Sequence, residues 1–190
     1  MDVLLNVNTF LQNSTHEEIC AYYNSIATED SIVCFNLTGE INIGMMMRTA
    51  GLFGINRVVI LGKRHYDKRT AVGIHHYIPH ERIQMTKGVH NEFIDDEKAV
   101  LFFTLAKEQY QVVFVEQSEG KSFPLPQLQD RLSKKPVMFV FGNESNGIPQ
   151  SVLDIPDTLI VEIPQFGVGR SFNVSTACGM VLYERNRNRM

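Results

Sequence analysis

No stretch of this 190-residue chain approaches the roughly 18–20 consecutive apolar residues that span a bilayer, so a transmembrane helix is excluded. No basic segment leads into an apolar core at the N-terminus, and no secretory signal is expected. Cysteine is scarce: Cys20, Cys34 and Cys178 are far apart, and no CxxC pair exists to support zinc or dithiol redox chemistry. Reduced thiols in a cytoplasmic setting are the expectation. Without secretion, Asn36-Leu37-Thr38 carries no weight as a glycosylation site. Internal repeats, low-complexity tracts and an obvious linker are also missing, which fits a single domain. The first 30 residues hold no Lys or Arg and five acids, Asp2, Glu17, Glu18, Glu29 and Asp30. The rest of the chain has 18 basic against 16 acidic side chains, so the net charge of −3 does not exclude a nucleic-acid partner.

The common catalytic signatures are missing too. Gly142 and Gly147 have P-loop spacing, but Ile148-Pro149 replaces the Lys and Ser/Thr that would meet phosphate and magnesium. Gly167-Val168-Gly169 begins like a dinucleotide fingerprint, but Phe172 stands where a third glycine would permit close helix packing. No G-x-S-x-G elbow is present. His65, His75, His76, His80 and His90 lack H-E-x-x-H spacing and a cysteine partner, so no metal site is expected.

What is present is an alternation of short apolar runs with amphipathic stretches. Val137–Phe141 and residues 159–163 each end abruptly in loops rich in Gly, Pro, Asn and Ser, as strands buried on both faces do. Ser31–Phe35, Arg57–Leu61 and residues 112–115 read the same way. Between the first two, Ile43, Met46, Met47, Ala50 and Phe53 recur at helical spacing, with Asn42 as a candidate N-cap and Gly54 at the C-terminal end. Strand, helix and strand over about 30 residues make a βαβ unit, so the sheet begins parallel. Residues 95–109 and 173–189 read as further helices; 116–135 reads as a polar loop with a short helix, and 73–88 has no clear period. Thr15 and Glu18 form a candidate capping box ahead of Ile19, Tyr22, Tyr23 and Ile26. The fold class is therefore α/β, a mostly parallel sheet flanked by helices over residues 31–190. Residues 1–30 form a helical extension packed on the core or on a partner subunit.

Ligands in open α/β sheets bind at the carboxyl ends of the strands. Three polar clusters stand there: Asn42-x-Gly44-x3-Arg48, then residues 141–147 (Phe-Gly-Asn-Glu-Ser-Asn-Gly), then Ile163-Pro164-Gln165-x-Gly167-x3-Ser171-Phe172-Asn173-Val174-Ser175. In order and at this spacing, across roughly residues 31–185, they resemble the three motifs of the SpoU (TrmH-like) branch of the SPOUT RNA 2′-O-ribose methyltransferases. The resemblance implies a C-terminal trefoil knot, a homodimer, and S-adenosyl-L-methionine as methyl donor to tRNA or rRNA. It also implies cofactor contacts at Gly142, Ile163 and Phe172, with the strand end at Val115 and Glu116 adding to the pocket. Phe172 and Gln165 stand where Leu and Met are common in the family. Arg48 matches the family's catalytic arginine, and Asn42, Glu144, Ser171 and Asn173 match its other polar positions. An Arg48–Glu144 pair is expected to hold the guanidinium. Asn42 and Asn173 also fit plain N-caps, and Met45, Met46 and Met47 fit core and dimer packing.

Lys63, Arg64, Lys68 and Arg69, in a basic and partly aromatic loop, are the leading candidates for RNA phosphates, followed by Arg185 and Arg189 on the last helix. With so short and acidic an N-terminal extension, RNA reading is expected from the core dimer surface or from an accessory protein. The rival reading is a catalytically silent, knotted RNA-binding or scaffold homologue.

Overall fold

The computed structural model describes residues 6–87 and 93–189. His90, Asp2 and the remainder of residues 1–5 lie outside them. A 3₁₀ turn at Thr9–Leu11 precedes α1 (His16–Ile26), and the expected capping box is present, with Thr15 accepting from the Glu18 amide and Glu18 reaching back. The strands follow as β1 (Ser31–Phe35), β2 (Arg57–Leu61), β3 (His80–Ile83), β4 (Thr86–Lys87), β5 (Phe93–Ile94), β6 (Gln111–Val115), β7 (Phe123–Pro124), β8 (Val137–Phe141) and β9 (Leu159–Glu162). Between them lie α2 (Glu40–Leu52), α3 (Lys68–Ala71), α4 (Asp96–Ala106), α5 (Leu128–Arg131) and α6 (Gln150–Leu153), and α7 (Val174–Asn186) closes the fold.

Seven strands form one sheet in the order β3-β2-β1-β8-β6-β9-β7, every pairing parallel; β4 and β5 make a separate antiparallel ribbon. Val33 pairs with Val59 on one side and Val140 on the other, and Phe114 joins Val140 to Ile160. Alternate residues therefore face opposite layers. Ile32, Cys34, Phe139 and Val113 meet α2, α7 and Tyr23 of α1, while Val33, Phe114, Val140 and Ile160 meet α4 and α6. The connection leaving β1 covers one face and the connection leaving its neighbour β8 covers the other. That divergence opens a crevice at the carboxyl ends of the central strands.

Two stretches differ from expectation. The residues that read as a polar loop between positions 116 and 135 hold an edge strand, β7, as well as a 3₁₀ turn at Leu125–Gln127 and α5. Two residues of strand with a proline are too short for a period-2 signal, and an edge tolerates the missing donor. The unperiodic stretch after Gly73 holds a 3₁₀ turn at Ile74–His76 and β3, whose alternation is hidden because the half-buried Glu81 is as polar as the exposed His80 and Arg82.

One buried ion pair fastens the sheet to the last helix. Asp30 is 2% exposed; its carboxylate accepts from the Val137 amide at 2.8 Å and from Arg185 Nε at 2.7 Å. The starts of β1 and β8 are thus tied to α7. Arg185, named above as a candidate for RNA phosphate, is engaged here with Asp30. Arg189, one turn on, donates to Asn186 Oδ1 and the Ile26 carbonyl. Removing one partner of a buried pair leaves a charge without compensation. Asp30→Ala is therefore expected to destabilise the fold by about 3–5 kcal/mol, read as a fall in the denaturant midpoint at unchanged slope.

Candidate active site

The loop after β8 is shaped by a side chain that sequence reasoning passed over. Asn143 is buried; its Nδ2 donates to the Asn36 carbonyl at 2.7 Å, and its Oδ1 accepts from the Ser145 and Asn146 amides at 2.9 and 3.0 Å. Asn143 and Gly147 exchange backbone hydrogen bonds across this turn, and Gly147 has φ +63°. A Cβ on Gly142 would sit 2.7 Å from Ile148 Cγ1 and 2.8 Å from the Gly147 carbonyl carbon, so backbone packs where any other residue would place side chain. Glu116, at the end of β6, accepts from the Ile148 and Gln117 amides, each at 3.1 Å.

Glu144 leaves this loop in the other direction. Its carboxylate accepts from the Thr38 amide (2.9 Å), the Gly39 amide (3.0 Å), the Thr38 hydroxyl (3.1 Å) and Asn42 Nδ2 (3.0 Å). Desolvation pushes this carboxyl up, but the hydrogen bonds from Thr38, Asn42 and Gly39 outweigh it and hold it below the usual carboxylate value. Asn42 Oδ1 in turn accepts from Asn173 Nδ2 at 3.0 Å, and Asn173 Oδ1 caps α7 by accepting from the Ser175 amide at 2.8 Å. One chain of polar contacts thus crosses all three sequence clusters.

Two expectations are overturned here. Asn42 is not an N-cap: α2 starts two residues earlier, with Gly39 at the cap and no capping side chain of its own. The donors at that helix start turn to Glu144 from another strand's loop, a long-range substitute that local sequence cannot reveal. Nor do Arg48 and Glu144 pair. Arg48 is exposed and forms no hydrogen bond or ion pair among the described residues. From Asn42, six residues of helix advance about 9 Å and turn about 120°, which carries Arg48 off the face that Glu144 meets.

The loop after β9 closes the third side. In the amide orientation that its neighbours require, Gln165 donates to the Gly169 and Arg170 carbonyls at 3.1 and 3.2 Å and accepts from Gln117 Nε2 at 2.8 Å. Phe166 and Val168 at its tip are fully exposed. Among these loops lies a cavity of about 860 Å³, lined by Val115, Glu116, Gly142, Ile163 and Phe172, and also by Glu144, Ser171 and Asn173. That volume is within the range of small-molecule sites.

A model of the SpoU rRNA methylase family matches residues 30–183. The chain belongs to this family. Among its relatives is a tRNA (guanosine(18)-2′-O)-methyltransferase of Saccharomyces cerevisiae, 30% identical over 151 residues, covering 75% of this chain and 9% of that protein. The chain spans well under a third of the length of the curated relatives it matches first. The Aquifex aeolicus TrmH/SpoU tRNA modifying enzyme shares the fold at TM-score 0.71 and 22% identity, over 92% of this chain and 84% of that one. An AdoMet-bound rRNA methyltransferase from Sinorhizobium meliloti does so at TM-score 0.67 and 23% identity, over 88% and 60%.

On this SpoU-family framework, the basic loop lies against α2. The Asp67 amide donates to the Glu40 carbonyl at 2.9 Å, and Thr70 packs at Gly44. Asp67 caps α3 and pairs with Arg69 at 2.7 Å, while Arg64 lies 3.9 Å from Glu40. The Lys63 and Lys68 side chains form no ion pair or hydrogen bond among the described residues. The sequence argument also passed over Thr38, Gln117 and Arg170. Gln117 and Arg170 adjoin the candidates Glu116 and Ser171, whereas Thr38 has no such neighbour in the sequence.

Because Glu144 titrates below its ordinary 4.5 when folded, its contacts stabilise the fold fully above that value and are lost as pH falls through the lower one. Glu144→Gln should therefore melt below the parent protein at pH 7, and the gap should close under pH 4.5. Thermal melts across that range provide the check.

Proposed function

We propose that this protein is an S-adenosylmethionine-dependent RNA 2′-O-ribose methyltransferase acting on tRNA as a homodimer. The carrying observation is the glycine-cradled cavity at the strand ends, joined by Glu144, Asn42 and Asn173 to the helix that bears Arg48. The names of the yeast and Aquifex relatives support a tRNA substrate, and the ligand in the S. meliloti structure supports the cofactor.

The residues present fit that cofactor. Gly142 brings backbone to where an adenine ring needs close donors and acceptors, and Val115, Ile163 and Phe172 supply apolar wall. Glu116, Glu144 and Glu162 outnumber Arg170 among the charged lining residues, which suits a cationic sulfonium. When bound, S-adenosylmethionine supplies a methyl group made electrophilic by that sulfonium. The ribose 2′-hydroxyl is a poor nucleophile until its developing charge is stabilised. The role of the Arg48 guanidinium is to hold the adjoining phosphate and stabilise the nascent alkoxide, with the proton passing to solvent. Ser171 and Asn173 orient the ribose at the mouth of the cavity.

The direction in which Arg48 leaves α2 supports the homodimer. A second copy would bring its Arg48 to the cavity that the first copy's arginine turns away from. Met45 and Ile41, exposed on α2, and Tyr183 on α7 would pack across that interface. The return of the chain from β9 to α7, packed on α2, is where we place the trefoil knot of the family. Cytoplasmic work alongside reduced thiols follows from the same reading, with an accessory protein helping to select the RNA.

Arg48→Ala is expected to keep S-adenosylmethionine affinity and lose about 10²–10³-fold in transfer rate. Gly142→Val should instead abolish cofactor binding. Mixed dimers of the two variants should regain transfer, since one site then combines an intact pocket with a partner arginine. Full transfer by Arg48→Ala alone, or dead mixed dimers of sound fold, would sink the reading. Labelled-methyl incorporation into total RNA, followed by 2′-O-methyl mapping, is the assay.

A further inference from the structure

Next to Arg48 lies a strip of rings that the proposed chemistry does not use. The sequence supplies Tyr66 in the basic loop and then Ile74-His75-His76-Tyr77, with His80 at the start of β3. In the fold these join into a continuous run. His80 meets Tyr66 edge-on at 5.3 Å between centroids, Tyr66 meets His75 at 5.4 Å, and His75 lies against His76 at 4.1 Å. Tyr77 continues it at 6.4 Å from His76, and His16 of α1 ends it at 5.6 Å from Tyr77. His76, His80 and His16 are exposed. Histidines so assembled suggest a metal first, but among the described residues no group of His, Cys, Asp and Glu is arranged to hold one.

The position of the strip on α2 is informative. Gly44 and Gly51 lie on one stripe of that helix, two turns apart, with Arg48 between them. A Cβ on Gly44 would run into Thr70, and one on Gly51 would run into Ile74. The segment that carries the rings is therefore seated on the same face from which Arg48 emerges. Thr70 Oγ1 also reaches the Ile41 carbonyl at 3.3 Å, tying it to the start of the helix.

Charge favours an anionic visitor. The nearby acids are engaged: Glu40 with Arg64, Asp67 with Arg69, and Glu81 with Arg57. Glu17 and Glu18, both exposed, stand beside His16 at the start of α1, with Glu18 held in its capping box. Lys63 and Lys68 are left to meet phosphate. Desolvation, with His76, Lys68 and His80 nearby, holds His75 below its ordinary value. At neutral pH the middle of the strip is thus a neutral ring.

We infer that the Tyr66–His75–His76 strip is a stacking platform for an unpaired nucleotide of the RNA, adjoining the nucleotide whose ribose Arg48 engages. Rings flanked by free lysines are the combination that holds single-stranded nucleic acid, where base faces are available. In a duplex those faces are stacked away, so the platform selects looped over paired RNA. The inference rests on the RNA-methyltransferase reading.

The test uses the full chain without cofactor and a stem-loop RNA carrying 2-aminopurine in its loop, beside a fully paired duplex. The wild type should quench the fluorophore and prefer the stem-loop. His76→Ala and Tyr66→Ala should weaken stem-loop binding roughly tenfold or more and lose the quench. His76→Phe, which keeps a ring, should restore both. Melting temperatures identify variants that fail to fold, and the exposed His76 is the one expected to tolerate change. Equal affinity for duplex and stem-loop, or unchanged binding by folded His76→Ala and Tyr66→Ala, would overturn the platform. Because quenching needs no methyl transfer, platform and enzyme readings fail separately: transfer without quench removes the first, and quench without transfer removes the second.

Discussion

The carboxylate of Glu144 is the contact on which the site's geometry depends. It accepts the backbone donors at the start of α2, holds Asn42, and through Asn42 reaches Asn173 at the start of α7. Three loops that leave three different strands are thereby fixed to one another by three side chains and two backbone amides. A carboxylate suits this place because it can accept several bonds at once and complements the positive end of a helix dipole. The cost of partly desolvating it is outweighed by those bonds, which is why it stays ionised.

The second organising constraint is close backbone approach. Gly142, Gly44 and Gly51 each stand where a methyl group would collide with a neighbour, the first in the cavity wall and the others on the helix that carries Arg48. In this way the fold places peptide groups at the surface of the cavity and draws the basic, ring-rich segment onto α2. The basic, ring-rich segment and the helix that bears Arg48 are packed directly on each other.

Much of this was legible in the residues. Short β-branched and aromatic runs marked β1, β2, β6, β8 and β9, because strands buried on both faces carry a continuous apolar signal. The capping box at Thr15 and the cap at Asn173 were local features and could be read locally. Gly142, Ile163 and Phe172 line the cavity as the family resemblance implies, with Val115 and Glu116 joining them from the end of β6. The failures share a physical cause. Glu144 caps a helix about a hundred residues away, so Asn42 looked like the cap that a local pattern demands. Arg48 and Glu144 looked like partners because opposite charges in adjacent motifs invite pairing, whereas the pitch of α2 turns the guanidinium aside. Arg185 looked like a free cation because its partner, Asp30, lies 155 positions earlier in the chain.

That last separation has a consequence for how the molecule comes into being. Arg185 reaches Asp30 only when α7 packs against the root of the sheet, where the carboxylate also meets the Val137 amide. With β1 and β8 made but α7 not yet packed, the Asp30 carboxylate at the root of the sheet is without its partner Arg185. The domain has reason to consolidate late and all at once, when a residue near one end arrives to neutralise one near the other.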